Sequence, residues 1–200
     1  MKTAERTFRS ALGFSIVDTL ATLALISTVA AMATPQMVNL ADSMRLGMAE
    51  RDVERELQFA RLKAVSTNRP MRVRFDCPSA GKVRVVEVIG TPANPDPNDA
   101  DTYLNRCDET AYPYSPTGAD KSRLTRPNND GPIRLLQAQT TFTAKKTLEF
   151  WSDGSVHADL NGGANPWPNI GNAGQTITLS RKGKTKNITV NGLGKVLMDR

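Results

Sequence analysis

The sequence predicts an α+β protein: a long N-terminal helical region, membrane-spanning and then amphipathic, followed by an antiparallel β domain. Three observations predict it. The 21 residues from Phe14 to Thr34 are apolar or small, except for Asp18. Beyond Pro35 apolar residues recur at helical spacing as far as about Ser66. After Pro70 the pattern changes to short alternating runs separated by turn residues.

A helix over the first stretch is about 31 Å long at ~1.5 Å per residue, which matches a hydrocarbon core of ~30 Å. Lys2, Arg6 and Arg9 precede it and no arginine recurs until Arg45. By the positive-inside rule the short N-terminus stays cytoplasmic and the chain after Pro35 is exported. Three readings of the segment compete. One is a cleaved secretory signal ending at Ala31-Met32-Ala33, although the apolar run is longer than the usual ~7–15 residues and contains an acid. A second is a plain membrane anchor, in which Asp18 is a penalty of roughly 2.5–3.5 kcal/mol at mid-membrane and less near the headgroups.

Met37, Leu40, Met44, Met48, Val53, Leu57, Ala60 and Ala64 define an amphipathic helix. Arg45, Glu50, Arg51, Asp52, Glu54, Arg55 and Arg61 read as its solvated face, with charges of both signs at pairing distance. Asn68-Arg69-Pro70 ends it. Met71, Val73 and Phe75 alternate with Arg72 and Arg74, and Lys82–Ile89 follows a Pro-Ser-Ala-Gly turn, which reads as a hairpin. Arg72, Arg74 and Arg84 fall on one face, read as a solvated strand face with a binding surface as the alternative. Residues 91–132 hold seven of the twelve prolines and no clear periodicity. That length makes the stretch either an insertion with a job or a mobile excursion, with Tyr112 and Tyr114 available to pack it down. Strands resume at Ile133–Ala138, Lys146–Trp151, Thr176–Ser180, Asn187–Val190 and Lys195–Met198.

The short basic leader, Gly13, Phe14, an acid fifth from the glycine and Pro35 beyond the apolar run resemble the class III signal of type IV pilins and type II secretion pseudopilins. This third reading explains the acid. The resemblance implies cleavage by a prepilin peptidase after Gly13 and N-methylation of Phe14. The new cation on Phe14 would meet Asp18 of a neighbouring subunit, two groups costly to bury singly and tolerable as a pair, and so set the register of assembly. The bland alternative leaves Asp18 in the headgroup region. The family usually carries Glu at this place, and Thr19, Thr22, Ser27 and Thr28 add polarity; both features suit a minor subunit. Phe150 and Gly154, Ile188-Thr189-Val190 and Gly194-Lys195-Val196 resemble the GspH/FimT branch, where the last motif often has Arg instead of Lys.

The implied organisation is a leader over 1–13, a transmembrane and filament-core helix over 14–35, its amphipathic half over 36–67, and a periplasmic β domain over 68–200 containing the loop 91–132. In this pilin-like fold one helix, bent at Pro35, is packed on the antiparallel β domain. The partners implied are other pilins or pseudopilins, the peptidase and the inner membrane, spanned once. A type IV pilus, a secretion pseudopilus and a competence filament share this N-terminus.

The formal charge of +6 falls to about +4 without the leader, a mild bias that permits an acidic partner without requiring one. A basic turn at Arg181, Lys182, Lys184 and Lys186, with Lys195 further on, is a candidate non-specific DNA contact, in line with some FimT-like minor pilins. The alternative is a turn made soluble by lysines. Cys77 and Cys107 pair as a disulfide if the domain is exported, worth roughly 3–4 kcal/mol; otherwise they are buried thiols. No zinc-type Cys/His spacing, P-loop or dinucleotide fingerprint occurs, so neither metal nor cofactor is expected. A Ser/His/Asp triad would have to use His157, the sole histidine, which reads instead as a strand or turn residue. No enzyme is expected.

Overall fold

The computed structural model describes residues 15–91, 93–114, 127–159 and 167–198. Among the described residues are one α-helix, α1 (Ile16–Thr67), and nine strands: β1 (Met71–Phe75), β2 (Lys82–Glu87), β3 (Ile133–Leu135), β4 (Thr141–Ala144), β5 (Leu148–Phe150), β6 (Val156–Ala158), β7 (Gln175–Arg181), β8 (Lys184–Val190) and β9 (Val196–Met198). The chain divides into two units, Met1–Ala41 and Asp42–Arg200.

In the first unit, residues 15–41 are exposed throughout, and an 18-residue window of α1 reaches a mean hydropathy of 1.8, long and apolar enough to cross a membrane. Pro35 lies inside the helix and does not end it. Side-chain hydroxyls of Thr22, Ser27, Thr28 and Thr34 donate to carbonyls three or four residues back, so these polar residues are satisfied without leaving the helix.

In the second unit α1 continues to Thr67, where Asn68 adopts φ 52° and the Arg69 amide reaches the Ala64 carbonyl at 3.2 Å. That is a Schellman-type end, with Asn in the left-handed position. Two antiparallel sheets follow. The first has the order β3-β2-β1-β5-β6 and the second β4-β7-β8-β9. β1 and β2 pair as the expected hairpin, with Val73 opposite Val85. Its turn is closed by Asp76, whose carboxylate accepts from the Gly81 amide at 2.8 Å. The span Ile133–Ala138 is strand only as far as Leu135, and β4 and β6 carry no separate signal in the sequence. Both are short: four and three residues, too few for alternation to declare itself.

The core joins the helix to both sheets. Leu46, Ala49, Val53, Leu57, Ala60 and Ala64 meet Val73, Val85, Leu148 and Phe150 of the first sheet and Phe142, Ile177, Leu179 and Ile188 of the second. The expected apolar stripe needs correction at its upstream end. Met44 and Met48 are exposed, and the buried positions are Asp42, Leu46, Ala49 and Glu50. Glu50, expected on the solvated face, is buried because a lysine from the second sheet reaches it.

Candidate functional site: helix start, basic latch and covered sheet face

At the start of α1, the Ser15 hydroxyl accepts from the Val17 amide at 3.3 Å and the Asp18 carboxylate accepts from the Ser15 amide at 3.4 Å. This is a variant of the capping box: the cap hydroxyl accepts from the second helical amide, and the carboxylate of the third helical residue accepts from the cap's own amide. The Ser-x-x-Asp spacing was present in the sequence as a signal for this local role of Asp18. Gly13 and Phe14 lie outside the described residues.

The β7–β8 turn is built by strand parity. Ile177, Leu179 and Arg181 share one face of β7, and Lys184, Lys186, Ile188 and Val190 share the matching face of β8, with Leu179 opposite Lys186 and Arg181 opposite Lys184. The apolar members of that face enter the core, so the cations beyond them come against the helix. Arg181, 1% exposed, bonds Asp42 through Nε and Nη2 at 3.1 and 3.0 Å. Lys182 reaches the other Asp42 oxygen at 3.1 Å, Lys186 meets Glu50 at 3.0 Å and Lys184 donates to Ser43 at 2.7 Å. Lys182 and Gly183, both at positive φ, make the tight two-residue turn.

The hydrogen bond from Lys182 holds the Asp42 carboxyl below the usual aspartate range; burial opposes it, and Arg181 adds to the lowering. The reading of Arg181 as a candidate DNA contact is therefore corrected, since it is buried, and Lys182, Lys184 and Lys186 engage the helix. Lys195 is exposed in the β8–β9 turn, at the other end of β8, about 23 Å away along a seven-residue strand. The structure does not bring it together with the other four.

The arginine face of the first sheet is also corrected. Arg72, Arg74 and Arg84 are 2%, 5% and 0% exposed, because residues 96–114 fold over them. Arg84 donates to the carbonyls of Gly131, Arg106, Asp108 and Tyr112. Arg74 donates to those of Tyr103 and Asp101. Arg72 bonds Glu149 at 2.8 Å and the Asp99 carbonyl, and its guanidinium lies 3.8 Å from the centre of the Trp167 ring.

From the cover itself, Arg106 returns to Asp130 at 2.7 Å, the Glu87 carbonyl at 2.6 Å and Asp99 at 3.3 Å. Burial lowers the pKa of Arg84 against the pull of Asp130 and Glu109, and burial raises that of Asp130 against Arg106. Guanidinium forks suit this work, since irregular backbone under cover has no strand partner for its carbonyls. The Cys77–Cys107 disulfide ties the cover to the β1–β2 turn. Tyr112 packs 5.0 Å from the Arg106 guanidinium, whereas Tyr114 stays exposed.

Two motif glycines make room for one side chain. Gly154 and Gly194 sit at φ 80° and 76°, and a Cβ on them would lie 3.3 and 2.8 Å from the Arg61 guanidinium. His157 lies in β6 opposite Glu149, as a strand residue.

One long helix packed through its second half on antiparallel sheets, with a disulfide in the β domain, is the α+β arrangement the sequence predicts. No protein-family model matches the sequence, and a comparison with curated proteins finds no match. Two crystal forms of the type IV minor pilin FimU of Pseudomonas aeruginosa are similar in structure. One aligns at a TM-score of 0.44 and 12% identity, over 80% of this chain and 92% of that one. The other aligns at 0.41 and 12%, over 78% and 93%.

Proposed function

We propose that the chain is a minor pilin or pseudopilin, a single-pass structural subunit of a type IV pilus or secretion pseudopilus. The observation that carries this reading is the asymmetry of α1. Its first part exposes apolar side chains around a single acid, while its second part supplies the core of the β domain. A helix built this way inserts and associates at one end and displays a folded domain at the other. Prepilin peptidase cuts after Gly13, Phe14 becomes the methylated N-terminus, and the inner membrane holds the subunit until other pilins or pseudopilins take it up through α1. Asp18 caps its own helix and, in the assembled state, meets the amine of a neighbour.

The basic turn is read as a clamp between β7–β8 and α1 rather than a DNA contact, because its cations face Asp42, Ser43 and Glu50. Mass spectrometry of the mature protein tests the processing. The expected first residue is methyl-Phe14; a start at Thr34 would make the protein an ordinary secreted domain. Retention of duplex DNA at low salt, lost on changing Lys182, Lys184 and Lys186 to alanine, would restore the nucleic-acid reading.

A further inference from the structure

The turn between β5 and β6 and the strand that follows bring together a hydroxyl and an imidazole that the proposed assembly does not use. Ser155 Oγ lies 2.9 Å from His157 Nε2, and His157 Nδ1 lies 2.8 Å from the Trp167 carbonyl oxygen. A carbonyl only accepts, so Nδ1 carries the proton. In the neutral ring Nε2 is then a lone pair facing the serine hydroxyl.

The ring is held in place. It stacks on Trp151 at 4.1 Å between centroids and 9° between planes. Its backbone is fixed between Glu149 of β5 and a bridge to Asn169. The serine is positioned as well: its amide donates to Asp153 at 2.8 Å and its carbonyl accepts from Trp151 at 3.0 Å. Asp153 is exposed, and its carboxyl is held below the usual range first by hydrogen bonds from Ser155 and also by the nearby imidazole. Ser155 and His157 are both half-buried.

We propose that Ser155 is a nucleophilic modification site that takes up an activated acyl or phosphonyl group, with His157 as its general base. The serine oxygen attacks the electrophilic carbon or phosphorus, its proton passes to His157 Nε2, and the leaving group departs with the bonding pair. With a fluorophosphonate the O–P bond forms as the P–F bond breaks and fluoride is released. The nearby amides of Gly154 and Ser155 are committed to the Trp151 carbonyl and to Asp153. They offer the developing oxyanion no pair of donors, so the event is a single stoichiometric transfer and not turnover.

The test is labelling of the full chain in detergent with a fluorophosphonate, followed by peptide mass spectrometry. General-base assistance contributes ~10²-fold or more. The expected result is an adduct on Ser155 forming about 100-fold faster than on exposed Ser152. It should be abolished by Ser155→Ala and reduced to the Ser152 rate by His157→Gln. A wild-type measurement guards against misfolding of the variant: diethyl pyrocarbonate, acting on the only histidine, should block labelling, and hydroxylamine should restore it. Labelling of Ser155 no faster than Ser152, or unaffected by imidazole modification, overturns the proposal.

Discussion

Arg84 shows how a residue that looks solvent-facing in sequence becomes a structural post. Its guanidinium serves four backbone carbonyls from two separate segments while fully buried. Removing it strands those acceptors in a covered layer, and unpaired buried polar groups cost ~1–3 kcal/mol each. Arg84→Ala should destabilise the protein by about 3–5 kcal/mol, read from urea unfolding. Arg84→Lys should recover little of that loss, since an ammonium lacks the planar fork.

Asp42 gives a second residue-scale expectation, with the opposite kind of partner. Its folded pKa lies below the unfolded value of ~3.9, so the native state binds fewer protons there. The stability it contributes is complete above pH ~4 and is lost as pH falls through the folded pKa. Thermal melting of Asp42→Asn should therefore lie below wild type at neutral pH and converge with it in acid. A constant gap at all pH values would show that the Asp42 charge is irrelevant to the clamp.

Among the elements, the segment over the first sheet and the β7–β8 hairpin present the same physical problem with different solutions. The cover has no regular structure beyond two short 3₁₀ turns, Pro97–Asp99 and Leu104–Cys107. It is held by arginine forks reaching its carbonyls and by the disulfide. The bond closes a separation of 30 residues, for which the chain-entropy relation gives ~3.6 kcal/mol. Paired Cys77→Ser and Cys107→Ser changes should lower stability by about that amount. Limited proteolysis should then cut within residues 96–114 before the strands.

The hairpin instead uses regular strand parity to carry Arg181 and its lysines onto the helix. This feature is legible in the sequence. Ile177, Leu179 and Arg181 already shared a face, as did Lys186, Ile188 and Val190. Reading the turn as an isolated basic cluster concealed that its face was the core face. For the arginines of β1 and β2 the alternation was seen, but a two-residue period says only that they lie together, not what lies on top of them.

For the whole molecule, α1 divides between an exposed apolar part and a part packed on the β domain. Its upstream part lacks any core of its own, and its downstream part is inseparable from the β domain. In the proposed filament, Asp18 is the single charge in the apolar part of that helix. Asp18→Ala should abolish incorporation into filaments, scored by shearing and immunoblotting, while leaving the exported domain folded. Asp18→Glu should restore it, because the longer carboxylate keeps both the cap and the counter-ion. Normal incorporation of the alanine variant would remove the proposed register.

The sequence alone determined the apolar segment and its acid, the helix end at Asn68, the β1–β2 hairpin and the pairing of two cysteines conditional on export. Each is a local matter of hydropathy, backbone preference or count. Only the tertiary structure decided that Glu50 and not Met48 faces the domain, that three strand arginines lie beneath a cover, and that Lys195 stands apart from the basic turn. Periodicity assigns residues to faces. Which face is buried depends on charges and carbonyls that distant parts of the chain bring to it.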